Sequence, residues 1–171
     1  MTLRTATYRV PGGRLAVVVD SRAPGDRPDV DYGALVVASF VPLADRDYPH
    51  LDATRIKAGH VPEVREAIAA YADGDLAAID ALSVAQPGGP FMQSAWRALR
   101  KVPAGSVVTY ATLARRAGSP RAHRAAGTAC SSNLVALVVP CHRVLASDGI
   151  GGYGYGVPVK LDLLEHEGAL L

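Results

Sequence analysis

The stretch Val84–Pro90, closing on Pro87-Gly88-Gly89-Pro90, limits what this 171-residue chain can fold into more than any other feature. Proline removes a backbone donor and glycine brings no side chain to pack, so neither a strand nor a helix runs through it. It predicts two lobes, residues 1–88 and 89–171, and the patterning on its two sides differs. Upstream, Leu15–Asp20 and Gly33–Val41 are rich in β-branched residues and are bounded by Pro11-Gly12-Gly13 and the turn-rich segment 23–29, which predicts a small sheet. Val64, Ala67, Ile68 and Tyr71 then recur at helical spacing within Val61–Ala72, with Pro62 in the first turn and Asp73-Gly74 past the end.

Downstream, Phe91, Ala95, Trp96, Leu99 and Val102 keep a helical rhythm up to Pro103-Ala104-Gly105, leaving Arg97, Arg100 and Lys101 near the outer face. Thr109 suits the N-cap of a helix over Tyr110–Ala117, and Arg121–Cys130 follows as a second short helix after Gly118-Ser119-Pro120. Two short helices around a glycine-containing turn outline a helix-turn-helix, an outline shared by any helical hairpin. The class expected is α+β: an N-terminal β-sheet lobe with a helix, then a helical, winged-helix-like C-terminal lobe.

Net charge is only +2, but its distribution is uneven: residues 1–90 carry 9 Lys and Arg against 12 Asp and Glu, and residues 91–171 carry 9 against 4. Between 91 and 147 Arg97, Arg100, Lys101, Arg115, Arg116, Arg121, Arg124 and Arg143 face no acidic residue at all. Such a block suits a polyanion, because each phosphate contact releases condensed counterions, although a solvated basic face has the same composition. No run approaches the roughly 18–20 apolar residues of a membrane span, and no hydrophobic leader follows Arg4 and Arg9, so a cytoplasmic location is expected. Two cysteines, Cys130 and Cys141, make no disulfide framework and are expected as thiols.

Cys141 is set between the apolar run Leu134–Val139 and a basic, titratable pair in Pro140-Cys141-His142-Arg143-Val144. A thiol attacks as thiolate, and at its ordinary pKa of about 8.5 it needs a base or a cation to form one. Neighbours in sequence project in different directions, so His142 would serve Cys141 through a turn or a bridging water. A carboxylate to orient the imidazole is on offer in Lys160-Leu-Asp-Leu-Leu-Glu-His-Glu167, the only acidic cluster after Asp148. A buried cysteine with no chemical role is equally compatible with these residues alone.

The ordered series Phe91 and Trp96, Pro103 and Gly105, Tyr110, Arg124-Ala125-Ala126-Gly127, Asn133, Pro140–Val144, Gly152-Tyr153-Gly154-Tyr155-Gly156 and Lys160–Gly168 resembles the O6-alkylguanine-DNA alkyltransferases. The resemblance implies direct-reversal DNA repair: Cys141 accepts the alkyl group from O6-alkylguanine, and from O4-alkylthymine, once and irreversibly. It further implies that His142 relays the thiol proton through water, Glu167 orients the histidine, Asn133 bridges the turn and the active-site region, and Tyr110 donates a proton to the departing base. Arg124 takes the place of an arginine that fills the gap left by a flipped nucleotide. Small neighbours Ala122, Ala125, Ala126 and Gly127 suit the narrow minor groove, and Arg97, Arg115 and Arg121 suit phosphates. Val144, Tyr153, Gly154, Tyr155, Gly156 and Leu134 line the substrate pocket by the same resemblance. The expected partner is double-stranded DNA bound by a monomer, with no cofactor and no metal.

Three positions depart from the family pattern. Leu134 replaces a usual proline, Tyr155 a smaller or differently shaped residue, and His123 a small one. A bulky Tyr155 is expected to narrow the pocket and favour methyl over benzyl groups, and His123 to tighten DNA binding at acidic pH. A non-catalytic lesion binder is the main alternative, disfavoured because such proteins lack the acceptor cysteine. A regulator would need a further cysteine-rich domain, and a cysteine hydrolase an oxyanion motif. Cys130, Cys141, His142 and His123 lack the spacing of a common zinc finger.

Overall fold

A computed structural model describes residues 2–170. The chain divides into two compact units: one runs to Pro87 and takes back Leu134–Val138, and the other comprises Gly88–Asn133 and the chain from Val139 onward.

In the first unit, β1 (Leu3–Val10) and β2 (Gly13–Asp20) form an antiparallel hairpin in which Val10 faces Gly13, leaving Pro11-Gly12 as a two-residue turn. Proline pre-sets the first turn position, and Gly12 takes φ 91°, which only glycine adopts cheaply. β3 (Ala34–Ser39) pairs antiparallel with β2, and β4 (Ile56–Ala58) parallel with β1, giving the order β3-β2-β1-β4. All six residues of β3 are buried and the first five are apolar, whereas β1 mixes polar and apolar residues. Helix α1 (Pro62–Ala72) buries Val64, Ile68 and Tyr71 and leaves Ala67 half-buried.

The free edge of β3 is met by chain from elsewhere. Val84 bridges Leu35 and Val135 bridges Ala38, both in parallel. Ala38 N–H donates to the Leu134 carbonyl and Ala136 N–H to the Ala38 carbonyl, each at 2.9 Å. A continuous cut at residue 88 would leave 134–138 with the C-terminal lobe. These residues pack with the sheet because their main-chain groups complete its edge.

In the second unit, α2 (Pro90–Arg100) turns Ala95, Trp96, Ala98 and Leu99 inward. The Trp96 indole donates to the Ala129 carbonyl at 2.9 Å, tying α2 to α4 (His123–Ser131). A short strand β5 (Val108–Thr109) leads into α3 (Tyr110–Arg116), whose first turn is capped by the Thr109 hydroxyl accepting from Thr112 N–H at 3.1 Å. Gly118, at φ 91°, stops α3: its N–H donates to the Arg115 carbonyl and Ser119 N–H to that of Ala114. This stop is the turn of the helix-turn-helix. α4 begins two residues later than its pattern predicts, at His123. Strand β6 (Val144–Leu145) pairs parallel with β5, and α5 (Val157–His166) closes the unit. Among the described residues no helix is long and apolar enough to cross a membrane.

Candidate active site

Two three-residue turns lead into Cys141. Val138 N–H donates to the Ala136 carbonyl around Leu137, the only non-glycine residue at positive φ (70°) among those described. Such a turn is strained, at roughly 1–3 kcal/mol for a residue held in this region. Cys141 N–H then donates to the Val139 carbonyl at 2.9 Å around Pro140 (φ −84°, ψ 63°), the inverse turn that proline's fixed φ favours. Cys141–Arg143 follow as one 3-10 turn with all three side chains buried.

The Asn133 amide donates to the Val139 carbonyl at 2.8 Å and to the Cys141 sulfur at 3.2 Å. One buried side chain thus fixes both the turn and the thiol. Burial pushes the Cys141 thiol up; the Asn133 amide, its own N–H, the Lys160 ammonium and the Tyr153 hydroxyl pull it back without cancelling the rise. At rest the sulfur is a protonated thiol.

His142 is adjacent in sequence but turned elsewhere. His142 is fully buried, with Nε2 at 2.9 Å from Glu167 Oε1. Arg143, also buried, donates from Nε to Glu167 Oε2 and from Nη2 to Oε1, both at 2.9 Å, and from Nη1 to the Val102 carbonyl at 2.6 Å. Burial alone would raise the Glu167 carboxyl, but the hydrogen bonds and charges of His142 and Arg143 outweigh it and hold the pKa at about 2. An ionised carboxylate only accepts, so Nε2 carries the imidazole proton and Nδ1 keeps its lone pair. Nδ1 is buried with no protein hydrogen-bond partner among the described residues. Burial also lowers the His142 pKa despite Glu167, so the ring rests neutral.

Glu167 itself is placed by backbone chemistry. It is the C-cap of α5; Gly168 follows at φ 72°, its N–H donating to the Glu165 carbonyl and Ala169 N–H to that of Leu164. Tyr110 begins α3, half-buried, and burial raises its phenol pKa, with Cys130 and Cys141 adding to the rise. Tyr153 and Tyr155 stack edge-on at 5.5 Å, Gly154 is exposed between them, and Gly156 (φ 100°) starts α5. Val144 is fully buried in β6. Leu134, half-buried, takes the Gln86 side-chain oxygen on its N–H at 2.8 Å within the first unit.

On the helix-turn-helix, Arg121, His123 and Arg124 are exposed, and Ala122, Ala125 and Gly127 half-buried. Ala126 is fully buried, which removes it from the expected DNA-contacting set: its methyl faces the interior because it lies one turn from the buried Ala129. Arg97 and Arg115 are exposed and donate to the neighbouring hydroxyls of Ser94 and Thr112. Arg143 leaves the basic block of the sequence for the same reason as Ala126, being 1% exposed and paired to Glu167. Nothing local in the sequence marks Arg143 or Lys160 as buried; the one signal is a lone acidic cluster within reach of two cations. Among the described residues no three His, Cys, Asp or Glu side chains are grouped to hold a metal.

Fold and site together define an α+β protein with a helix-turn-helix and a buried cysteine backed by a histidine–carboxylate pair. Residues 90–169 match the family model of the 6-O-methylguanine DNA methyltransferase DNA-binding domain. The methylated-DNA–protein-cysteine methyltransferase of Salmonella typhimurium is 43% identical over 130 residues, covering 75% of this chain and 76% of that protein. That of Methanosarcina acetivorans is 39% identical over 63% of this chain and 69% of its own. The crystal structure of Mycobacterium tuberculosis O6-methylguanine methyltransferase superposes with a TM-score of 0.73 at 28% identity, covering 98% of this chain and 93% of that one. A complex of the M. tuberculosis protein with DNA gives 0.67 at 27% identity, covering 96% and 92%. The chain belongs to the methylated-DNA–protein-cysteine methyltransferase family.

Proposed function

We propose that the protein repairs O6-alkylguanine in DNA by transferring the alkyl group to Cys141, once per molecule. The observation that carries this reading is the buried relay itself: a thiol fixed by Asn133, and a neutral imidazole whose other nitrogen is held by an ionised Glu167. His142 Nδ1 takes the thiol proton through a water molecule, and the imidazolium so formed is stabilised by Glu167. The thiolate attacks the alkyl carbon, the S–C bond forms as the C–O bond breaks, and the electron pair leaves on guanine O6. Tyr110 gives its phenolic proton to the departing base, which leaves as neutral guanine. A thioether is no leaving group at neutral pH, so the protein is consumed.

The damaged atom lies inside the duplex, and the base must leave the stack to meet a buried sulfur. α4 enters the minor groove, with Arg124 in its first turn filling the gap and Arg121, Arg115 and Arg97 on phosphates. Among the described residues no side chain caps α4, so its first N–H groups suit a phosphate as well. A monomer suffices for this. Tyr155, stacked on Tyr153, narrows the pocket towards methyl groups.

Incubation with an O6-methylguanine duplex and intact-mass analysis tests the reading. A single methyl gain mapping to Cys141, absent in Cys141→Ser, is expected. Unmodified protein bound tightly to the lesion would replace this reading with lesion binding. Arg124→Ala is expected to slow transfer from duplex DNA far more than from the free base; equal losses would remove the arginine from the flipping step.

A further inference from the structure

Two segments meet the free edge of β3 in succession: Val84 bridges Leu35, and Val135 bridges Ala38. Ala85 N–H donates to the Leu35 carbonyl, and Ala38 N–H to the Leu134 carbonyl, both at 2.9 Å. A side chain ties the first segment to the second: the Gln86 oxygen accepts from Leu134 N–H at 2.8 Å, and Gln86 is only 9% exposed. A main-chain N–H can face only the oxygen of an amide side chain, so the orientation of Gln86 is settled by its partner.

Leu134 thus has both main-chain groups held, its carbonyl by Ala38 and its N–H by Gln86. A peptide bond is planar, so holding that N–H also holds the carbonyl and Cα of Asn133, the residue before it. Asn133 in turn donates its side-chain amide to the Val139 carbonyl and the Cys141 sulfur. The proline usual at position 134 would have no N–H to satisfy, would fix its own φ and would confine the ψ of the residue before it. Leucine brings a donor and a freer φ, and an unmet N–H away from water disfavours the conformation that contains it. One hydrogen bond from Gln86 answers both.

We propose that Gln86 is a positioning residue for the alkyl acceptor: its side-chain oxygen holds the Asn133–Leu134 peptide and thereby keeps the Asn133 amide on the Cys141 sulfur. That Cys141 accepts an alkyl group rests on the repair reading. The hold on the thiol does not, and it is measured without DNA. A contact that merely completed the sheet edge would contribute to folding and leave the thiol unchanged.

The rate of Cys141 carbamidomethylation by iodoacetamide, mapped by mass, is followed against pH in the native chain, Gln86→Leu, Leu134→Pro and the double variant. The Asn133 amide lowers the thiol pKa. Loosening it in Q86L is therefore expected to raise the midpoint by about half a pH unit or more, roughly a threefold loss of thiolate at a given pH below it. L134P has no N–H for Gln86 to meet, so adding Q86L to it is expected to shift the midpoint no further. An unmoved midpoint in Q86L, with only earlier thermal unfolding, gives Gln86 a structural role and overturns the proposal. An equal shift in both backgrounds also overturns it, because the effect would not pass through the Leu134 N–H. Should either variant not fold, Q86N, one methylene short of that N–H, decides by the first readout alone. Single-turnover methyl transfer from an O6-methylguanine duplex is expected to slow in Q86L by a similar factor and with the same dependence on residue 134. A native chain that takes no methyl while the thiol measurements hold would remove the repair reading and leave the positioning role intact.

Discussion

In the N-terminal unit the ion pairs Arg27–Asp29 and Arg55–Asp52 lie at the surface, over a core of valine, leucine, isoleucine and tyrosine. The C-terminal unit buries His142, Arg143, Lys160 and Glu167 alongside Asn133. Burying charge costs several kcal/mol per ion, repaid only if every donor and acceptor is met. The first unit has the composition of a region selected to fold. In the second, folding energy sustains a chemical arrangement that an apolar core would not provide.

The sharpest way to break this contrast is Glu167→Gln. It leaves Arg143 buried without its counter-charge and His142 without an anionic acceptor, and about 3–5 kcal/mol of stability should be lost in chemical denaturation. A loss comparable to that of a surface substitution would mean the network is solvated in solution.

Acid should act on the same residues. The pKa of His142 is lowered from its ordinary 6.5 and that of Glu167 from 4.5 to about 2. Both are depressed in the folded state, so both contributions are complete above the ordinary values and drain as pH falls. Stability is expected to decline below about pH 6.5 through His142 and more steeply from 4.5 towards 2 through Glu167. Urea titrations across this range, repeated with E167Q, should show the steep part vanish in the variant.

Smaller effects sharpen the comparison from the other side. Thr109→Ala removes the cap of α3 and should cost about 1 kcal/mol, read as a shift in denaturation midpoint. Asp29→Ala, which breaks an exposed pair, should leave the midpoint where it is. A measurable drop there would show that the N-terminal unit also depends on its charges.

Much of the site is readable from sequence because its chemistry is concentrated in short, rare combinations. Cys141 beside His142, Glu167 before a glycine, and Tyr110 after Thr109 each carry a local reason for their position. Helices α1 and α2 follow from apolar spacing and from prolines at their starts. Less visible are features settled by distant partners. β1 interleaves arginine and threonine with apolar residues and gains its place only through register with β2. β4 has three residues and no pattern to read. Arg143 and Lys160 look like surface cations until the fold supplies Glu167 and two carbonyls. Residues 134–138 look like an apolar run of their own lobe, and their pairing with Ala38 shows where they belong.

That last segment bears on how such a protein can be divided. The family-matched stretch 90–169 contains Leu134–Val138, yet these five residues belong with the N-terminal sheet. A gene fragment beginning at Pro90 would encode every residue of the proposed chemistry and still leave Val135, Ala136, Leu137 and Val138 bare, six positions or fewer from the nucleophile. Recombination within 87–90 would likewise join a foreign sheet to a segment whose main-chain groups pair with β3. The stretch 84–90 marks a change in composition and not the end of the first unit, which residues 134–138 complete.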